Sequence, residues 1–157
     1  MLLQTLQNTL TMMHHSSSYH RILIYLESCR SGSMFEHFLP SDMNILAVTA
    51  ANSTESSYAC FYNETLDTFL ADSFSYSWME HSELGDRNSL VLDQILYVIN
   101  KTSQFGHTSV YGAKHILNVT VENFQGDLYS NTKVYQPVEI QDAVPSDSIH
   151  VPAVAST

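Results

Sequence analysis

Apolar residues recur near helical spacing at Leu2, Leu3, Leu6, Leu10 and Met13. The spacing predicts a helix over residues 1–18, ended by Ser16-Ser17-Ser18. The pattern then changes. Ile22-Leu23-Ile24-Tyr25-Leu26 is continuously apolar and predicts a strand over 20–27 that is buried on both faces. Ser31 or Ser33 stands where it could cap a short helix to about Leu39, and Pro40 closes it. Met43 to Thr49 reads as a second buried strand. Strand, helix and strand in this order form a βαβ unit, right-handed by strong preference.

Residues 50–57 are a polar loop. Phe69, Leu70, Phe74, Trp78 and Met79 share one helix face over 67–82, and Gly85 breaks it. Leu90, Val91, Leu92, Ile95, Leu96, Val98 and Ile99 predict a second such helix over 88–104. Residues 106–125 are mixed, with a short strand expected at Ile116 to Val121. Beyond Gly126, Pro137, Pro145 and Pro152 punctuate a polar segment, so 127–157 reads as a linker or tail. No internal repeat is visible.

Length and composition sharpen this picture. A chain of 157 residues with 44% hydrophobic and 14% charged content fits one globular domain with a sizeable core. The formal charge of −10 argues against nucleic acid and anionic membranes as main partners. Protonating all eight histidines would bring that charge to −2, so self-repulsion relaxes in a mildly acidic compartment. No stretch has the length of a membrane span. Met1-Leu2-Leu3-Gln4-Thr5 lacks a basic start and a long apolar run, so it is not expected to be a signal peptide. Four sequons nevertheless make Asn52, Asn63, Asn100 and Asn118 candidate glycosylation sites. Sequons without a signal peptide lead to the expectation that the true N-terminus is missing.

The candidate chemistry centres on Cys29. A strand delivers this thiol to its C-terminal end, where open α/β sheets collect ligand chemistry. The thiolate is the attacking species, and an ordinary thiol has a pKa of about 8.5. A helix starting just after Cys29, together with Arg30, would favour the thiolate. The Cys29 N–H could serve an oxyanion hole. An imidazole is still needed to protonate the leaving amine. On the pattern alone, a buried core cysteine is the competing reading. Cys60, in an apolar setting, is expected to be a buried free thiol. Two cysteines make no disulfide framework.

Glu27-Ser28-Cys29-Arg30-Ser31-Gly32-Ser33-Met34 resembles the E-A-C-E-S-G-S-M nucleophile segment of the legumains, the asparaginyl endopeptidases. Further blocks follow in order. Residues 44–52 resemble N-[IV]-Y-A-T-T-A-A-N, and residues 55–60 are similar to E-S-S-Y-A-C. Residues 69–72 are similar to Y-L-G-D, and residues 78–82 to W-M-E-D-S. Phe124-Gln125-Gly126 resembles the end of the family's catalytic domain.

The resemblance covers about residues 1–126. It implies an α/β, caspase-like fold: a mostly parallel sheet flanked by helices, incomplete here, with an irregular tail. Residues 1–126 would be the C-terminal portion of the peptidase domain, and 127–157 a linker resembling an activation peptide.

The resemblance also implies a reaction. Cys29 matches the nucleophile that attacks the carbonyl of a substrate Asn. Glu27, Ser56, Ser57 and Asp72 match residues around the pocket for the Asn side chain. A carboxamide NH₂ is a double donor, and carboxylates accept from it; a pocket built to pair it rejects analogues. Read alone, Asp72 could instead cap the following helix, and Ser56 and Ser57 could be ordinary loop serines. The expected partners are protein or peptide substrates with Asn at the cleavage site. No cofactor or metal is expected. The compartment would be lysosomal, vacuolar or secretory.

There are departures. The family's dyad histidine lies in a His-Gly motif upstream of the cysteine, in a region outside this sequence. His14, His15 and His20 match no such motif and read as structural or exposed. The Glu after the nucleophile is Arg30 here, and the Ala before it is Ser28. Two rival readings follow: a non-catalytic binding protein with the same pocket, and the related transamidase that attaches lipid anchors. The Ser-Ser-Tyr-Ala-Cys and Trp-Met-Glu blocks favour legumain over the transamidase.

Overall fold

The computed structural model describes residues 2–84, 88–104 and 106–126. The expected helix break at Gly85 and the tail at 127–157 lie outside the described residues. The order begins with helix α1 (Leu2–His15), strand β1 (Ile22–Leu26), a 3₁₀ turn at Ser31–Met34 and strand β2 (Ile45–Thr49). Strands β3 (Ala59–Asn63) and β4 (Thr68–Asp72) precede helices α2 (Ser73–Leu84) and α3 (Val91–Thr102). Strand β5 (Ser109–Gly112), a second 3₁₀ turn at Lys114–Asn118 and helix α4 (Glu122–Gln125) follow. The fold is of the α/β class.

Both apolar runs are adjacent strands. β1 pairs in parallel with β2, Ile22 opposite Ile45 through Leu26 opposite Thr49, and β2 pairs antiparallel with β5. β2 is central and completely buried, paired on both edges. Side chains alternate across a strand, so this sheet has two covered faces. Ile22, Ile24 and Ile45 pack with Leu6, Leu10 and Met43 on the α1 side. Leu23, Tyr25, Leu46 and Val48 pack with Phe74, Val91, Ile95 and Val98 on the α2–α3 side. The second face also holds a polar knot. Tyr25 stacks on Trp78 with ring centroids 4.6 Å apart, and its hydroxyl donates to the buried Gln94. Gln94 Nε2 donates to the Trp78 carbonyl at 3.2 Å and to Ser82 Oγ at 2.8 Å.

Four expectations are corrected. The run at Ile22–Leu26, expected to be buried on both faces, is only half-buried, because β1 pairs with β2 alone among the described residues. The helix expected over 67–82 begins only at Ser73, because residues 68–72 form β4 of a hairpin with β3. Asn63 Oδ1 accepts the Leu66 N–H at 2.9 Å, and Asp67 takes a left-handed φ of 49°; together these turn the chain back. Phe69 and Leu70 are both exposed on that hairpin, so they form no helical face.

The strand expected at Ile116 to Val121 is instead a 3₁₀ turn followed by one isolated bridge, Leu90 to Thr120. The real strand, β5, lies earlier. Gly112 ends it at φ +86°, where a Cβ would collide with the Ile45 carbonyl.

The helix expected from Ser31 or Ser33 to Leu39 shrinks to the four-residue 3₁₀ turn and loose turns after it. No serine caps it; the residue at its start is Arg30, in the left-handed region at φ 56°.

Candidate functional site

β1 ends at Leu26, and its period of two points Glu27 toward α2, as it does Leu23 and Tyr25. Glu27 Oε2 accepts the Ser75 N–H at 3.0 Å and its hydroxyl at 3.1 Å, in the first turn of α2. Oε1 is buried without a hydrogen-bond partner among the described residues. Burial raises the Glu27 carboxyl above its ordinary range. The Ser75 groups and the nearby Ser57 hydroxyl oppose this, and the Asp72 charge adds to it. Asp72 ends β4, opposite Ala59, and is exposed.

Cys29 stands two residues farther along the turn, exposed and free. Its sulfur lies 3.9 Å from Ser57 Oγ and 4.0 Å from the Ser57 carbonyl oxygen. Main-chain and hydroxyl groups of Ser57, then the Ser56 hydroxyl, hold the thiol below its usual range. The helix terminus expected to do this does not exist, since the turn after Cys29 is only one 3₁₀ turn. Cys60 is also free and half-buried on β3.

Gly32 lets the turn seat itself. A Cβ there would lie 2.8 Å from the Asn52–Ser53 peptide and would strike the Tyr111 hydroxyl. Ser31 completes the contact: its Oγ accepts the Ala51 N–H at 3.1 Å and lies 3.2 Å from the Ala51 carbonyl oxygen.

The turn after β1, the loop before β3 and the end of β4 therefore converge. They bring Cys29, Ser56, Ser57, Glu27 and Asp72 onto one part of the surface. Sequence reasoning missed Ser75, which carried no signal inside a helical pattern, and the pair Glu55–His107. His107 Nδ1 lies 2.9 Å from Glu55 Oε2, and the His107 N–H donates to Oε1 at 2.9 Å. The two residues are 52 positions apart in sequence.

His14, His15 and His20 make no bond to the site residues among the described residues. The His14 ring lies beside Tyr19, and His15 and His20 are exposed. Asn100 and Asn118 are exposed. The Asn52 amide oxygen is already engaged, accepting from the Thr54 N–H, the Thr54 hydroxyl and the Glu55 N–H at 2.9–3.1 Å. No described helix is long and apolar enough to cross a membrane.

Comparison with known proteins extends this geometry. A model of the peptidase C13 family matches residues 1–127. Legumain of Mus musculus is 37% identical over 146 residues, covering 92% of this chain and 33% of that protein. The hemoglobinase of Schistosoma japonicum is 35% identical over 145 residues, covering 90% of this chain and 34% of its own length. The delta-isozyme of the vacuolar-processing enzyme of Arabidopsis thaliana is 36% identical over 126 residues, 73% of this chain and 27% of the relative. The chain thus spans about a third of the length of the curated relatives it matches.

Proposed function

Because the chain belongs to the peptidase C13 family, we propose that it supplies the nucleophile and the Asn-binding pocket of a legumain-type cysteine endopeptidase. The observation that carries this reading is the buried Oε1 of Glu27, without a hydrogen-bond partner among the described residues, near Asp72 and the Cys29–Ser57 contact. An unpaired buried acceptor is costly unless something donates to it. A substrate carboxamide NH₂ offers two donors, one for Glu27 and one for Asp72. The Ser56 and Ser57 hydroxyls border the same pocket and support the thiolate. Catalysis then runs in two steps. The Cys29 thiolate attacks the Asn carbonyl carbon, the C–N bond breaks, and the amine leaves with a proton. Water next cleaves the thioester and releases the acid. The proton for the amine comes from a histidine in the part of a family member that this chain does not span. Residues 1–126 act as the C-terminal portion of the peptidase domain, followed by a linker. The full protein works in a lysosomal or vacuolar compartment, where glycans on exposed Asn100 and Asn118 fit.

A binding protein without turnover is the second reading. It is favoured by the sulfur's surroundings: among the described residues, no imidazole bonds to Cys29. A p-nitrophenyl ester of a blocked Asn peptide separates the two, since nitrophenolate leaves without a proton. The peptidase reading expects a stoichiometric nitrophenolate burst from the Asn ester, weaker from the Leu ester and absent in Cys29→Ala. No burst, with Asn peptide still bound, establishes the binding protein instead.

A further inference from the structure

Glu55 lies where three segments of the site meet. Its carbonyl oxygen accepts the Arg30 N–H at 2.7 Å, one residue after the nucleophile. Its N–H donates to Asn52 Oδ1 at 3.1 Å, and its Oε1 accepts the Asn52 N–H at 3.2 Å. The same carboxylate takes both His107 contacts at 2.9 Å, from the segment leading into β5. Glu55 therefore joins the Cys29 turn, the loop that continues into Ser56 and Ser57, and the approach to an edge strand of the sheet. Two further observations give these bonds a task. Arg30 is a non-glycine residue in the left-handed region, a conformation that L side chains disfavour and that its surroundings must hold. Ser57 reaches Cys29 only at 3.9–4.0 Å, so a small drift of the loop would end the contact.

We propose that Glu55 is a positioning residue for Cys29: anchored by His107, it fixes both the Arg30 turn and the Ser56–Ser57 loop against the sulfur. This rests on the reading of Cys29 as the nucleophile. The His107 bond also holds the Glu55 carboxyl below its ordinary range, so the anchor stays charged in mildly acidic solution. The charged groups around the thiol are Arg30 beside it, Glu27 and Asp72 toward α2 and β4, and the Glu55–His107 pair behind the loop. Only the last of these is altered in the test.

The test is the iodoacetamide alkylation rate of Cys29 across pH, resolved by mass spectrometry, with Cys60 in the same molecule as the control for global opening. Glu55→Ala is expected to raise the Cys29 midpoint by roughly 0.7 pH units, which slows labelling below the midpoint about fivefold. Cys60 labelling stays unchanged. His107→Ala shifts the midpoint the same way by less. Glu55→Gln, which keeps an acceptor oxygen, restores part of the loss. An unchanged Cys29 midpoint in Glu55→Ala overturns the proposal. So do parallel changes at Cys29 and Cys60 in both alanine variants, which mean general loosening. If Glu55→Ala does not fold, an unchanged midpoint in His107→Ala overturns it. The readout needs neither cleavage nor acylation, so a missing nitrophenolate burst would count against the peptidase reading and leave this result standing.

Discussion

The sulfur of Cys29 lies 3.9 Å from the hydroxyl of Ser57, a residue 28 positions away on a different segment. The turn after β1 and the loop before β3 therefore form one chemical unit. That unit lowers the thiol's pKa with uncharged groups, mainly those of Ser57. A lowered thiol pKa means more thiolate at any pH below the midpoint.

The alkylation midpoint of Cys29 is accordingly expected below the ordinary value of about 8.5. Ser57→Ala removes the hydroxyl and moves the midpoint upward. It should not abolish the shift, because the main-chain group of Ser57 remains. A Ser57→Ala midpoint equal to the parent's would show that the hydroxyl contributes nothing.

Glu27 has the opposite sign. Its folded-state carboxyl is raised above its unfolded value, mainly by burial. The folded state therefore binds the proton more tightly, and the stabilisation is full below the unfolded pKa. It is lost as pH rises through the folded pKa. Glu27→Gln removes the buried charge and keeps an acceptor for Ser75. Its Tm is expected to exceed the parent's by a few degrees at pH 7, with the gain vanishing near pH 4. An equal gain at both pH values contradicts the assignment.

Gly32→Ala tests the seating of the turn. The added methyl meets the Asn52–Ser53 peptide, which cannot swing aside as a long side chain can. Overpacking of this kind costs about 1–3 kcal/mol. Urea unfolding should show that loss, and the Cys29 midpoint should rise with it. A neutral substitution would mean that the turn does not rest on that loop.

Gln94 is the hub of the buried knot beneath the site, with no exposed surface. Gln94→Ala leaves a cavity and removes the bonds to Tyr25, Trp78 and Ser82, so a loss of about 3 kcal/mol is expected in urea unfolding. Tyr25→Phe keeps the stack on Trp78 and loses one hydroxyl, so about 1 kcal/mol is expected. Equal costs would show that the ring stacking does not survive separately from the hydrogen bond.

β1 pairs with β2 alone among the described residues, and its five residues are only half-buried. Its second edge presents open main-chain groups. The 157-residue chain is therefore expected to self-associate with rising concentration in analytical ultracentrifugation. A monomer with a sharp cooperative thermal transition would contradict this.

Where the sequence was readable, burial and local period agreed. The apolar run at Met43–Thr49 read as a buried strand and is one over Ile45–Thr49, and Cys29 followed from the end of its neighbour. Phe69 and Leu70 misled because helical spacing counted them with Phe74. Their conformation is set by pairing with β3, which no local period reveals. Ser31 and Ser33 looked like caps, yet the turn begins at a left-handed Arg30 that only tertiary bonds sustain. Glu55 and His107 were illegible for the same reason. Their link exists only after the sheet brings β5 beside β2.

The most direct test of the central claim is covalent labelling of the chain by peptidyl acyloxymethyl ketones that differ only in the residue before the ketone. The reaction requires the thiolate and the pocket and does not require a leaving amine to be protonated. An Asn ketone is expected to modify Cys29 at least about tenfold faster than a Leu ketone, as pairing a buried polar group in a pocket predicts. Asp72→Ala should erode that preference, and Cys60 should remain unmodified. Equal rates for the Asn and Leu ketones, or labelling at Cys60 in place of Cys29, would contradict an Asn-directed cysteine nucleophile.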